Sequence, residues 1–133
     1  MSSVINLEPL CAKYGMEIVD LHKNEYSTDK ENVINKALGV LVENGFYAMY
    51  VFLLSCKCKP KTYAQEVFDV LQNLLLDKDL HLISTKKKGV NGLKDIREIT
   101  KNLPKLILAR KVTEQTLTFA RYHCKAETQE RGC

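Results

Sequence analysis

The sequence predicts an all-α protein, a single-domain bundle of five to six helices with a central helical hairpin. Apolar residues over 33–42 recur every three to four positions, which is the spacing of one helix face. The Asn44-Gly45 pair follows, and glycine suits the left-handed conformation that ends many helices. The run from Phe46 to Leu54 is entirely apolar, which indicates a second helix covered on most sides by others. An Asn-Gly turn is also typical of a β-hairpin, but the spacing before it is helical.

The first two helices begin at recognisable cap residues. Asn6 is placed to cap a helix from about Leu7 to His22. Thr28 begins a segment with the form of a capping box, which predicts the start of the second helix. That helix is expected to extend to Asn44, where the hairpin turn begins.

The third and fourth helices are separated by a basic connector. The third is predicted to end near Cys56, and Pro60 interrupts the connector that follows. Thr62 begins a second capping box and so predicts the start of the fourth helix. The apolar stripe expected on this helix consists of Tyr63, Val67, Val70 or Leu71, and Leu74.

The C-terminal part contains a loop and two further helices. A basic loop is predicted over about 77–92, with Lys86, Lys87 and Lys88 at its tip. The apolar spacing after it indicates a short helix near 93–99. Asn102 can then cap a long final helix from about Leu103 to Glu127.

We expect one domain over residues 1–133, because this length fits a single hydrophobic core. Its ordered core is predicted over about 5–127, with a frayed tail at 128–133. No signal peptide is recognisable, and the longest apolar run is about half of the ~20 residues that a bilayer requires. These features predict a cytoplasmic protein with no membrane contact.

The final helix carries two apolar faces. We expect one face to serve the core of the domain. The other is either a second core contact or a contact with another subunit. The first face consists of Leu103, Leu106, Ala109, Thr113, Leu117, Ala120 and Cys124, and the second consists of Leu108, Val112, Phe119 and Tyr122.

The net charge of +4 is unevenly distributed: residues 1–44 sum to −3, residues 45–77 to zero and residues 78–133 to +7. A basic C-terminal half is typical of proteins that bind a phosphate backbone or an acidic surface, although a solvated face has the same composition. Aromatic residues are not interleaved with the cations, which argues against readout of single-stranded bases. The candidate RNA-backbone contacts are Lys86, Lys87, Lys88, Arg110, Arg121 and Lys125.

The residue patterns that enzymes use are mostly absent, and we expect no catalytic residue, metal or other cofactor. There is no Gly-rich phosphate loop, no HExxH and no nucleophile elbow. Two weaker metal hypotheses remain. Asp77, Asp79 and His81 form a DxDxH segment that could hold a divalent cation, but it reads better as a solvated turn. The cysteines and histidine of a zinc set would be Cys56, Cys58, His123 and Cys124, although the C-x-C spacing is shorter than that of structural zinc sites.

Several short motifs resemble one protein family. The hairpin reads Asn44-Gly45-Phe46, then Ala48 and the segment 52–55, Phe-Leu-Leu-Ser; after the Lys-rich connector Tyr63 opens the next helix. The final helix contains Leu-Ala-Arg at 108–110 and Leu-Thr-Phe-Ala-Arg-Tyr at 117–122. In order and spacing these motifs are similar to the small all-helical subunit of the Cmr (type III-B CRISPR) effector complex. The chain departs from that family at Phe46, where leucine is usual, and in having no tryptophan.

The resemblance implies a structural role in antiviral defence. Copies of such a subunit stack in a minor filament beside the other Cmr-type effector subunits, along guide RNA paired to target RNA. Cleavage of the target belongs to other subunits of those complexes. The basic residues would then contact the RNA backbone, and the second apolar face of the final helix would contact a neighbouring subunit.

Two other hypotheses stay open at this stage. The chain is consistent with a stand-alone helical nucleic-acid-binding or protein-adaptor domain, including a viral one. The other hypothesis is a small metal-dependent enzyme that uses Asp77, Asp79 and His81.

Overall fold

The computed structural model describes residues 6–21, 27–56 and 62–132. These residues contain six α-helices, one short 3₁₀ helix at Gly89–Asn91 and no β-strand, which confirms the predicted all-α class. The α-helices are α1 (Glu8–Asp20), α2 (Ser27–Asn44), α3 (Phe46–Ser55), α4 (Tyr63–Leu76), α5 (Gly92–Thr100) and α6 (Leu103–Gly132).

The predicted hairpin joins α2 to α3 through a single residue, Gly45. Its φ of 102° is positive, as expected, but its ψ of 178° is extended, whereas a left-handed helical residue has a ψ of about +47°. Its N–H group donates to the carbonyls of Leu41 at 3.1 Å and Val40 at 3.2 Å, which closes α2. Because only glycine adopts this backbone conformation at little cost, Gly45 permits α3 to begin without a longer loop.

The second helix of the hairpin, α3, packs against α2, α4, α5 and α6. Tyr50 packs edge-on against Phe46 at 4.9 Å and against Phe68 of α4 at 5.8 Å between ring centroids. Its hydroxyl lies 3.0 Å from Oγ1 of Thr113 on α6. The helix is less enclosed than predicted, because Val51 is exposed and Tyr47 is half-buried.

The long helix α6 packs against α1, α2 and α5. Gly15 brings α1 so close that an added Cβ would lie 3.0 Å from the Thr116 carbonyl oxygen and 3.2 Å from Cβ of Phe119. On the same side, the Cys11 thiol lies 3.6 Å from the Val112 carbonyl oxygen. The absence of a side chain at Gly15 therefore sets the distance between these two helices.

The predicted division of α6 into two faces needs correction. Val112 is completely buried, and Leu108 and Phe119 are half-buried, because α6 packs on both α1 and α2 and its buried arc is therefore broad. Leu103, predicted to be in the core, is 66 % exposed, and Pro104 and Lys105 beside it are exposed as well. Of the second face, only Tyr122 is largely exposed, at 62 %.

Two buried polar side chains connect helices by reaching main-chain carbonyls. The Lys30 ammonium on α2 donates to the carbonyls of Val19 at 2.8 Å and Leu21 at 3.2 Å, which are orphan acceptors at the end of α1. The Tyr63 hydroxyl on α4 donates to the Ile18 carbonyl at 2.8 Å. The end of α1 is thus held by both α2 and α4.

Of the predicted helix caps, the one at Asn102 is confirmed and the one at Thr62 is not. Asn102 accepts a hydrogen bond from the Lys105 N–H at 3.1 Å, which confirms it as the cap of α6. The box at Thr62 does not form with Gln65, because Thr62 already has helical dihedral angles; its hydroxyl donates instead to Glu66 at 3.1 Å. The side chain of Thr28 lies outside the described part of the chain.

The predicted helix ends also shift by a few residues. Helix α1 begins at Glu8, whose N–H donates to Asn6 Oδ1 at 3.1 Å, and ends at Asp20. Helix α6 continues beyond Glu127 to Gly132, so the tail predicted to fray is helical over 128–132. Gln, Glu and Arg are good helix formers, and no proline stops the helix there.

Candidate nucleic-acid interface

The outward side of α6 carries a band of positive charge. Arg110, Lys111 and Lys125 are exposed, and Glu114 is the acidic residue among them. Within the described residues no ion pair involves any of these three cations. Helical geometry puts Arg110 and Arg121 on one side, about 16 Å apart along the axis. A band of this length can span several phosphates of a nucleic-acid strand.

Arg121 is positioned differently from the other cations of α6. Its side chain is half-buried, and its guanidinium lies 6.0 Å from the centre of the exposed Tyr122 ring. Its Nε is buried and has no hydrogen-bond partner within the described residues. Arg121 is therefore less accessible to a ligand than the exposed cations of the band.

The predicted basic loop is anchored at its base. The N–H groups of Leu82 and Ile83 both donate to the Leu75 carbonyl, at 2.8 Å and 3.3 Å, and both side chains are buried. Beyond them Lys86, Lys87 and Lys88 are all exposed. The loop therefore presents its lysines from a fixed base, although it has little regular secondary structure.

The three loop lysines differ in their surroundings. The Lys87 ammonium lies 3.6 Å from Asp95 Oδ2 on α5, which offsets part of its charge. Lys88 lines a hollow that Glu66 and Asp69 also line, so its surroundings are of mixed charge. Among the residues that the structure describes, Lys86 forms no ion pair and lines no such hollow, which makes it the best candidate of the three for a phosphate contact.

A groove between α3 and α5 was not anticipated from the sequence. It has a volume of about 200 Å³, and an aromatic ring, an exposed valine and two cations share it. The aromatic and the cations are far apart in the chain, which is why a search for interleaved aromatic and basic residues missed them. The lining residues are Tyr47, Val90, Asn91, Leu93, Lys94 and Arg97.

The metal hypotheses gain no support from the geometry. Asp77 accepts hydrogen bonds from the Tyr14 hydroxyl on α1 at 2.8 Å and from the Asp79 N–H at 3.0 Å, so both of its oxygens are engaged within the protein. Partial burial favours a raised pKa for Asp77, but these hydrogen bonds, with Lys13 and Lys78, lower it below the ordinary 3.8. In the part of the chain that the structure describes, no three His, Cys, Asp or Glu side chains are grouped to hold a metal ion.

The zinc set cannot be assembled from the described residues alone. Cys124 is completely buried, and burial raises the pKa of its thiol to about 11 in the metal-free chain. Cys58 lies outside the described residues.

Comparison of the chain with protein-family models, curated proteins and solved structures gives no match. Among the described helices, none is long and apolar enough to cross a bilayer.

Proposed function

We propose that this protein is a non-catalytic structural subunit of a type III-B CRISPR RNA-targeting complex that contacts the RNA backbone through basic residues. The resemblance in the hairpin and in the closing helix suggests this assembly. An all-α bundle around a helical hairpin is the architecture that the resemblance implies. The exposed cations along the outward side of α6, which form no ion pair within the described residues, are the observation that carries the proposal.

The proposed contact is with phosphates and does not depend on sequence. Arg110, Lys111 and Lys125 would follow the strand along α6, with Lys86 as a further contact from the loop. Lysine and arginine contacts of this kind position a nucleic acid without reading its bases. Their contribution to affinity decreases steeply as salt increases, because binding releases counterions.

Contacts with neighbouring subunits would use exposed apolar side chains of α6. Tyr122 remains from the predicted set, while Leu103 and Ile107 add an apolar region near the start of the helix. These side chains would bind either another effector subunit or a second copy of this chain in a stacked filament. Val112 is excluded from such a contact because it is completely buried.

The proposal is tested by recovering the protein with its partners from the cells that produce it. A tagged chain is purified, the proteins are identified by mass spectrometry and the RNA is sequenced. We expect several CRISPR effector subunits and short guide RNAs. Recovery of the chain alone, or with an unrelated protein, would contradict the assembly and favour a stand-alone adaptor domain.

The stand-alone nucleic-acid-binding domain remains the second candidate, because the same cations would serve it. It predicts that the purified chain binds RNA with useful affinity without any other subunit. The assembly role predicts weaker binding by the isolated chain, since only a few phosphates are contacted by each copy.

A further inference from the structure

The α3–α5 groove combines two kinds of surface that the proposed backbone contact does not need. One side is cationic and comes from α5, and the other is aromatic and aliphatic. Tyr47 is half-buried on α3, while Val90, in the 3₁₀ helix before α5, is 74 % exposed. All of these residues line the same open depression.

The two cations of the groove have no acidic partner within the described residues. The carboxylates of α5 are engaged elsewhere: Asp95 lies 3.6 Å from the Lys87 ammonium, and Glu98 lies 2.9 Å from the Lys101 ammonium. Lys94 and Arg97 are one helical turn apart and therefore adjacent on the surface of α5. Their charges are available to an anionic group in the groove.

Within the described residues the Tyr47 side chain packs against the core but makes no hydrogen bond and no aromatic ring contact. Tyr50 and Tyr63 donate or accept hydrogen bonds inside the bundle, whereas no hydrogen bond or ring contact involves Tyr47 within the described residues. A half-exposed aromatic ring beside two cations is the usual composition of sites that stack bases of single-stranded nucleic acid. A duplex does not offer such a site a free base face.

We propose that this groove binds one nucleotide within a single-stranded segment of RNA. The base would pack between Tyr47 and Val90, and the adjoining phosphate would contact Lys94 and Arg97. The groove, at about 200 Å³, is smaller than the ~300–1,000 Å³ typical of pockets that enclose a whole small molecule. This size favours one unit of a polymer over a free nucleotide. The inference rests on the proposed function for its ligand, RNA.

The test compares the affinity of the full chain for single-stranded oligouridine and for a double-stranded RNA of equal length, by fluorescence anisotropy. Tyr47→Leu removes the ring and keeps an apolar side chain, and we expect it to weaken single-strand binding about 5- to 100-fold. Tyr47→Phe keeps the ring and should retain most of the affinity. Lys94→Gln with Arg97→Gln should also weaken single-strand binding.

Two controls separate a contact from a change in fold. Val42→Ala, at a position of α2 that is 59 % exposed, should bind as the wild type does, and thermal unfolding is measured for every variant. As a direct readout, oligouridine carrying 5-iodouracil is irradiated with the wild-type chain. We expect the cross-linked peptide to contain Tyr47. Uridine monophosphate is the competitor that reports on binding of a free nucleotide.

The outcomes distinguish this inference from the proposed function. If Tyr47→Leu binds the single strand as the wild type does, while Arg110→Glu with Lys125→Glu does not, the groove is not a base site and the backbone contact stands. If all these variants bind equally, both proposals are wrong. An equal loss on single strand and duplex, or full competition by uridine monophosphate, would also overturn the single-strand inference.

Discussion

Tyrosines and lysines have opposite roles in two regions of this molecule. Inside the bundle, Lys30, Tyr50 and Tyr63 each have a hydrogen-bond partner on another helix. In the α3–α5 groove, Tyr47 and Lys94 have none within the described residues. Residue type alone therefore does not distinguish structural residues from candidate binding residues. The presence or absence of an internal partner is the more useful criterion.

The largest effect on stability is expected at Lys30. Replacing it with Met removes the ammonium that donates to the carbonyls of Val19 and Leu21 and leaves these acceptors buried. We expect Lys30→Met to lower the free energy of unfolding by about 1.5–3 kcal/mol, measured by urea denaturation. Lys36→Met, at an exposed position of the same helix, should cost less than about 1 kcal/mol. Equal losses of stability in the two variants would show that the hydrogen bonds of Lys30 do not contribute specifically to the stability of the fold.

Substitutions at two glycines, one at the contact between α1 and α6 and one away from it, test how closely these helices approach. Gly15→Val places two methyl groups against the backbone of α6, and we expect a loss of about 1–3 kcal/mol in the free energy of unfolding. Gly39→Ala, on α2, has nothing within 4 Å of the added Cβ and should gain about 0.5–1 kcal/mol from helix propensity. A stable Gly15→Val protein would contradict the close contact of these helices.

The tyrosine comparison is tested by removing hydroxyl groups one at a time. Tyr50→Phe loses the hydrogen bond with Thr113 in the core, and we expect a loss of about 0.5–1.5 kcal/mol. Tyr47→Phe loses a hydroxyl with no partner within the described residues, and its effect should be within about 0.5 kcal/mol. The two variants are compared by thermal and urea unfolding. A larger loss at Tyr47 would show that this residue is structural.

The smallest effect concerns the turn after α4 and depends on pH. Because the pKa of Asp77 is lowered in the folded state, its stabilising contribution is present above the ordinary pKa of 3.8 and is lost as the pH falls through the lowered value. Asp77→Asn should therefore lower the melting temperature slightly at pH 7 and have no effect near pH 2. A difference that persists at pH 2 would indicate a cause other than the carboxylate.

The sequence predicts the helices better than it predicts their faces. Periodicity and cap residues identify the elements, and the Asn102 cap forms as expected. The exposure of Leu103 and the burial of Val112 depend on how many helices pack around α6, which the spacing of a single helix does not contain.

The candidate site could likewise be predicted only in part from the sequence. The exposed lysines of the loop follow from charge and local sequence. The α3–α5 groove requires Tyr47 to lie beside Lys94, and this proximity arises only from tertiary packing.

The central claim is that the outward cations of α6 bind an RNA backbone. It is tested by measuring RNA affinity from low to moderate salt for the wild type, for Arg110→Glu with Lys125→Glu, and for Lys36→Glu with Lys78→Glu, which changes the net charge equally. We expect the α6 double variant to lose at least about 10-fold in RNA affinity. The slope of its affinity against salt should decrease by the equivalent of about one to two phosphate contacts, whereas the control double variant should change little. Equal affinity of the two variants would contradict the claim.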